Sequence, residues 1–106
     1  MYMDIDTLWQ TTLDRNSTCW LAHNNVGVAL ENEGRIDEAI SQYQEAIRLQ
    51  PEYAAPHDNL GVAFAMKGRL DEAIGQFQEA VRLDPDYADA RNHLTRALAQ
   101  KASSNR

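Results

Sequence analysis

Three polar side chains stand 34 residues apart along this chain of 106 residues: Asn25, Asn59 and His93. A carboxamide both donates and accepts hydrogen bonds, so amides at a fixed interval suit an extended peptide backbone, which they hold without reading its side chains. Their other use is to bond a neighbouring unit or water, and residue types alone leave both uses open. His23 and His57 form a second pair at the same interval. Two imidazoles could begin a metal site, but no cysteine or carboxylate at ligand spacing completes a shell around them. There is no glycine-rich phosphate loop, no H-E-x-x-H, no C-x-x-C and no Ser-His-Asp set with local context. The chain is therefore expected to be non-catalytic, with no cofactor and no metal.

The interval that relates these residues governs most of the sequence. Residues 20–53 (WLAHNNVGVALENEGRIDEAISQYQEAIRLQPEY) and 54–87 (AAPHDNLGVAFAMKGRLDEAIGQFQEAVRLDPDY) align without a gap and agree at 19 of 34 positions. A fixed period of this length marks a solenoid, in which each unit packs only on its neighbours. Within each unit, apolar residues recur at helical spacing. Val26, Ala29 and Leu30 define one face, with Leu60, Ala63 and Phe64 as counterparts. A second face follows at Ala39, Ile40, Tyr43, Ala46 and Ile47, then at Ala73, Ile74, Phe77, Ala80 and Val81.

The breaks are equally regular. Gly34 and Gly68 stand where a helix ends in a left-handed residue, and Asp37-Glu38 and Asp71-Glu72 place negative charge at the next helix start. Pro51 and Pro85 stop the second helix of each unit. The expected helices are 20–33, 37–49, 54–67 and 71–83. Gly75 is the one local conflict, since glycine inside a helix costs about 1 kcal/mol against alanine. It replaces Ser41 of the first unit, which reads as an exposed position under weak demand.

The flanks keep the register. Residues 88–101 read as another first helix, with Leu94 and Leu98 in phase and Thr95 in place of the glycine; a polar capping helix and a frayed tail over 102–106 are expected. Residues 3–16 read as a degenerate second helix, Ile5, Trp9 and Leu13 matching Ala39, Tyr43 and Ile47. A second helix without its first suggests a piece of a longer array, with a natural N-terminal cap as the rival reading. The whole is an all-α superhelix of about six helices in antiparallel pairs.

Composition bounds the partners. The net charge of −6, with ten basic residues scattered singly among acids, excludes a nucleic-acid footprint. No apolar run approaches the ~20 residues that span a bilayer, so no direct membrane insertion is expected. The start, MYMDIDTLWQ, lacks the order of a signal peptide, and the single Cys19 excludes an internal disulfide. Asn16-Ser17-Thr18 matches a glycosylation sequon, a motif too short to carry weight. The compartment stays open.

His23-x2-Val26-Gly27-x2-Leu30, then Ala39-x3-Tyr43, Ala46 and Pro51 resemble the tetratricopeptide repeat, and His57-x2-Leu60-Gly61-x2-Phe64, then Ala73-x3-Phe77, Ala80 and Pro85 match it more closely. The departure is histidine at positions 23 and 57, where the family often has tryptophan. The resemblance implies a right-handed superhelix whose first helices line a concave groove that binds a peptide or partner helix. It places Asn24, Asn25, Val28, Asp58, Asn59, Val62 and His93 on that face, and its groove phases also include Leu21, Ala55 and Asp89. Asn25 and Asn59 are then similar to the asparagine ladder of a long array in the family.

The groove is neutral to acidic with small apolar patches, which suits a neutral or mildly basic segment. The family's carboxylate clamp for chaperone tails is not expected, because Asn24, Asp89 and His93 stand where it needs cations. Trp9 or Trp20 could anchor a partner, although a neighbouring helix more often covers such a residue. Two further readings remain open. One is a substrate-docking or regulatory segment of a larger, glycosyltransferase-like enzyme, suggested by LWQTTLDRNSTCWLAHNNVG. The other is a self-associating scaffold joined through exposed terminal helix faces.

Overall fold

A computed structural model describes residues 19–104, which form five α-helices. They are α1 (Cys19–Asn32), α2 (Ile36–Leu49), α3 (Ala54–Met66), α4 (Leu70–Leu83) and α5 (Ala88–Ser104). The first four lie within a residue of the spans expected from the repeat. α5 continues through Ala102, Ser103 and Ser104, where a frayed tail was expected; no glycine or proline there stops it. The helix expected over 3–16, with Trp9 and the sequon, lies outside the described residues.

The two turns within the pairs are built identically. The Arg35 N–H donates to the Leu30 carbonyl at 2.9 Å and the Gly34 N–H to Glu31 at 3.0 Å; Arg69 to Phe64 and Gly68 to Ala65 repeat both distances. This paired closure satisfies carbonyls that the helix end would otherwise leave bare, and it requires a left-handed residue at the glycine. Gly34 and Gly68 have φ of 82° and 79°. No atom lies within 4 Å of a Cβ built on either glycine, so the cost of a side chain there is conformational alone. Gly68→Ala is expected to lower stability by about 1 kcal/mol, read as a shift in the urea midpoint, with Gly68→Asn costing less.

Each pair closes on a second glycine. A Cβ at Gly27 would meet the Tyr43 ring at 2.5 Å, and one at Gly61 would meet the Phe77 ring at 2.5 Å. The backbone of each first helix thus rests on an aromatic face of its second helix. Ala39, Ala46, Ala63, Ala73 and Ala80 are fully buried, which lets the helices approach closely. Tyr43 is also fully enclosed; its phenol donates to Glu31 Oε1 at 2.9 Å, so the ring fills the core without stranding its hydroxyl.

Pairs then stack in order, α2 against α3 and α4 against α5. This stacking buries Leu60, Ala63 and Phe64 of α3. The equivalent face of α1 differs: Val26 is 47% exposed, Ala29 is exposed and Leu30 is half-buried. No described element precedes α1, so nothing among the described residues plays for it the part that α2 plays for α3. At the other end, Thr95 occupies the phase of Gly27 and Gly61, and its hydroxyl donates to the Arg91 carbonyl at 3.0 Å. The residues around it, Arg91, Asn92, Arg96 and Leu98, are exposed.

Candidate functional site

Stacking places the first helices side by side, with α3 touching both α1 and α5. Two hydrogen bonds join them, and both follow one rule. Asn59 Nδ2 donates to Asn24 Oδ1 at 2.8 Å, and His93 Nδ1 donates to Asp58 Oδ1 at 2.8 Å. Asn24 and Asp58 share one phase of the repeat, and Asn59 and His93 share the next. Each acceptor is buried, at 7% for Asn24 and 3% for Asp58, while each donor is half-buried. The neighbour bond that the sequence left open is thus made at Asn59. One amide hydrogen and the oxygen of Asn59 stay uncommitted by it, as does Nε2 of His93.

Burial pushes the Asp58 carboxyl above its ordinary value, and the hydrogen bond and charge of His93 oppose that rise. The Tyr87 phenol is also raised, first by burial and then by the negative charges of Asp58, Asp89 and Asp84.

His23 and His57 are explained by a contact inside each repeat. His23 Nδ1 lies 2.7 Å from the Gln42 side-chain amide, and His57 Nδ1 lies 2.8 Å from that of Gln76. His57 Nε2 also donates to the Pro51 carbonyl at 3.1 Å. His57 is thus held at both ring nitrogens, by the Gln76 side-chain oxygen and the Pro51 carbonyl. The signal was present in the sequence, because Gln42 and Gln76 recur with the same period.

The residues expected in the groove divide into two kinds. Asn24 and Asp58 are consumed by the inter-repeat bonds. Asn25 and Val28 are exposed, and Asn59, Val62 and His93 are half-buried. Val62 and His93 also border a cavity of about 320 Å³ between α3, α4 and α5, together with Met66, Leu70, Phe77 and Arg96. Met66 is 57% exposed although apolar. Arg96 makes no ion pair with another described residue, whereas Arg35, Arg69 and Arg82 each grip a glutamate three residues away. Residue-type reasoning missed Met66, Leu70 and Arg96. Stepping Val28 and Val62 forward by one period lands on Arg96, so its place beside Val62 was legible.

Trp20 is half-buried, its ring centroid 4.7 Å from that of Tyr53 in the loop after α2. An inter-helix loop supplies that contact.

Helix pairs closed by glycine on an aromatic ring and stacked in one register define a helical-repeat solenoid. A profile described as the tetratricopeptide repeat matches residues 7–54 and 33–88. The chain belongs to the tetratricopeptide repeat family, and it has the all-α superhelical fold of that family. Among solved structures it is similar to the second TPR of Spaghetti (RPAP3) bound to HSP90 peptide SRMEEVD, with a TM-score of 0.80 and 22% identity, covering 87% of this chain and 85% of that one. Among curated proteins, 30 residues are 53% identical to protein O-mannosyl-transferase Tmtc3 of Drosophila melanogaster. That match covers 28% of this chain and 3% of that relative's length.

Proposed function

We propose that the protein is a non-catalytic interaction module that holds an extended peptide, or a partner helix, in the groove lined by α1, α3 and α5. The observation that carries this reading is the apolar cavity beneath Val62, Met66 and Leu70, open to solvent and bordered by His93 and Arg96. A single apolar side chain fits a space of about 320 Å³. The uncommitted amide atoms of Asn59, and those of Asn25, lie at phases suited to backbone carbonyls and N–H groups on either side of that anchor. Asp58 adds little negative charge to the groove, because it is buried against His93. The segment is therefore one with an apolar anchor and no requirement for basic flanks.

The solved relative binds its HSP90 peptide on the same fold, which supports peptide binding as the mode. A carboxylate clamp is not carried over, since Asn24, Asp89 and His93 supply no lysine or arginine there. The short match to a mannosyl-transferase supports a second reading, in which this module docks substrates or partners for an attached enzyme.

Selection from a random peptide library tests the groove. Recovered peptides are expected to share one apolar position, and Val62→Asp or Asn25→Ala with Asn59→Ala should weaken them at least tenfold, about 1.4 kcal/mol. Binding unchanged in both variants would rule the groove out.

A further inference from the structure

A second cavity, of about 380 Å³, opens between the loops that follow α2 and α4. It shares no lining residue with the groove cavity. Three of its walls are aromatic, from Trp20, Tyr53 and Tyr87, and two are carboxylates, from Glu52 and Asp84. Among the described residues, no lysine or arginine lines it. Trp20 and Tyr53 meet at an interplanar angle of 52°, forming a corner of two ring faces. Tyr53 is 39% exposed, so that corner is reachable.

We propose that this cleft receives the cationic side chain, lysine or arginine, of a partner protein. Ring faces carry the negative end of an aromatic quadrupole and attract such a cation, more strongly where water is partly excluded. Helix dipoles do not decide the sign. The starts of α1, α3 and α5, near Trp20, Ala54 and Tyr87, and the ends of α2 and α4, near Glu52 and Leu83, each bring about half a charge, three positive against two negative, so their sum is much smaller than two full charges. The two full charges of Glu52 and Asp84 then set the potential. Glu52 makes no ion pair with another described residue, and Asp84 engages one oxygen with the Asp86 N–H at 3.2 Å, leaving the other for a guest. With a net charge of −6, the whole chain also draws a basic segment toward it.

The test uses five-residue glycine peptides carrying one central lysine, arginine or norleucine, with tetramethylammonium as a fourth ligand, followed by NMR of the whole chain. The lysine and arginine peptides are expected to shift the Trp20 indole N–H and the Tyr53 and Tyr87 rings. Norleucine should bind at least about fivefold more weakly, and the Glu52→Gln, Asp84→Asn double variant should weaken lysine binding by about fivefold with an unchanged melting curve. Asparagine at 84 can still accept from Asp86, so the loop is preserved. Equal binding of norleucine, or full retention of lysine binding in the double variant, overturns the proposal. Tetramethylammonium binding as tightly as the peptides overturns it too, in favour of a small free ammonium ligand.

Discussion

Gly61→Ala is expected to lower the melting temperature by about 10 °C, while the same change at Gly75 raises it by a few degrees. Both glycines are inside helices, so in both cases alanine gains about 1 kcal/mol of helix propensity. At Gly61 the new methyl would meet Phe77 Cε1 at 2.5 Å, Cδ1 at 2.7 Å and Cζ at 3.0 Å. Phe77 is 2% exposed and cannot swing aside, so α3 and α4 must separate. Overpacking of this kind costs about 1–3 kcal/mol; against an enclosed ring the upper end applies, and less the propensity gain the net loss is about 2 kcal/mol. For a domain of this size that is about 10 °C. Nothing lies within 4 Å of a Cβ at Gly75, so there only the propensity gain remains. Calorimetry of the two variants reads both signs. Phe77→Leu in the Gly61→Ala background should recover part of the loss, whereas a neutral Gly61→Ala would mean that the ring does not rest on the glycine.

His93→Ala is expected to cost about 2 kcal/mol at neutral pH and clearly less near pH 4. Burial already holds Asp58 above its ordinary 3.8, and His93 works against that rise. A carboxyl raised in the folded state contributes stability at low pH, where it is protonated, and loses that contribution as pH rises through its folded value. Removing His93 raises Asp58 further and leaves an ionised carboxylate buried without its donor. The penalty therefore grows as pH rises from the carboxylate range toward neutrality. Asp58→Asn in the His93→Ala background should restore much of the loss at neutral pH, since an amide carries no charge to desolvate. Urea midpoints at the two pH values decide it, and an equal cost at both would show that Asp58 is not the group responsible.

The fold was largely legible because the period states it twice. Each turn glycine, each stop proline and each alternating apolar face appears in register, and the helix boundaries follow to within a residue in four of five cases. What remained hidden depends on which residues meet across that period. Gly27 and Gly61 were visible as motif positions, but that an aromatic ring rests on each required the packed pair. The two uses of the asparagine phase could not be separated from residue types, because an amide serves a neighbour and a peptide equally well. The structure commits one donor of Asn59 to Asn24 and leaves Asn25 exposed. Asp58 was read as a groove charge, and its burial depends on His93 arriving from a helix 35 residues away.

The same reasoning explains why the apolar face of α1 differs from that of α3. Val26 and Leu60 carry the same pattern; Leu60 is 3% exposed with α2 packed before α3, whereas Val26 is 47% exposed and no helix precedes α1 among the described residues. Identical sequence patterns therefore guarantee identical helices, while burial is decided by the neighbours that each repeat finds.

The groove itself is most directly tested by mapping amide and methyl NMR shifts on the whole chain during titration with a selected peptide. Saturable shifts confined to Asn25, Asn59, Val62, Met66, His93 and Arg96 are expected. Shifts centred instead on the exposed second-helix positions Ser41, Gln44, Gly75 and Gln78, with the groove unmoved, would contradict it.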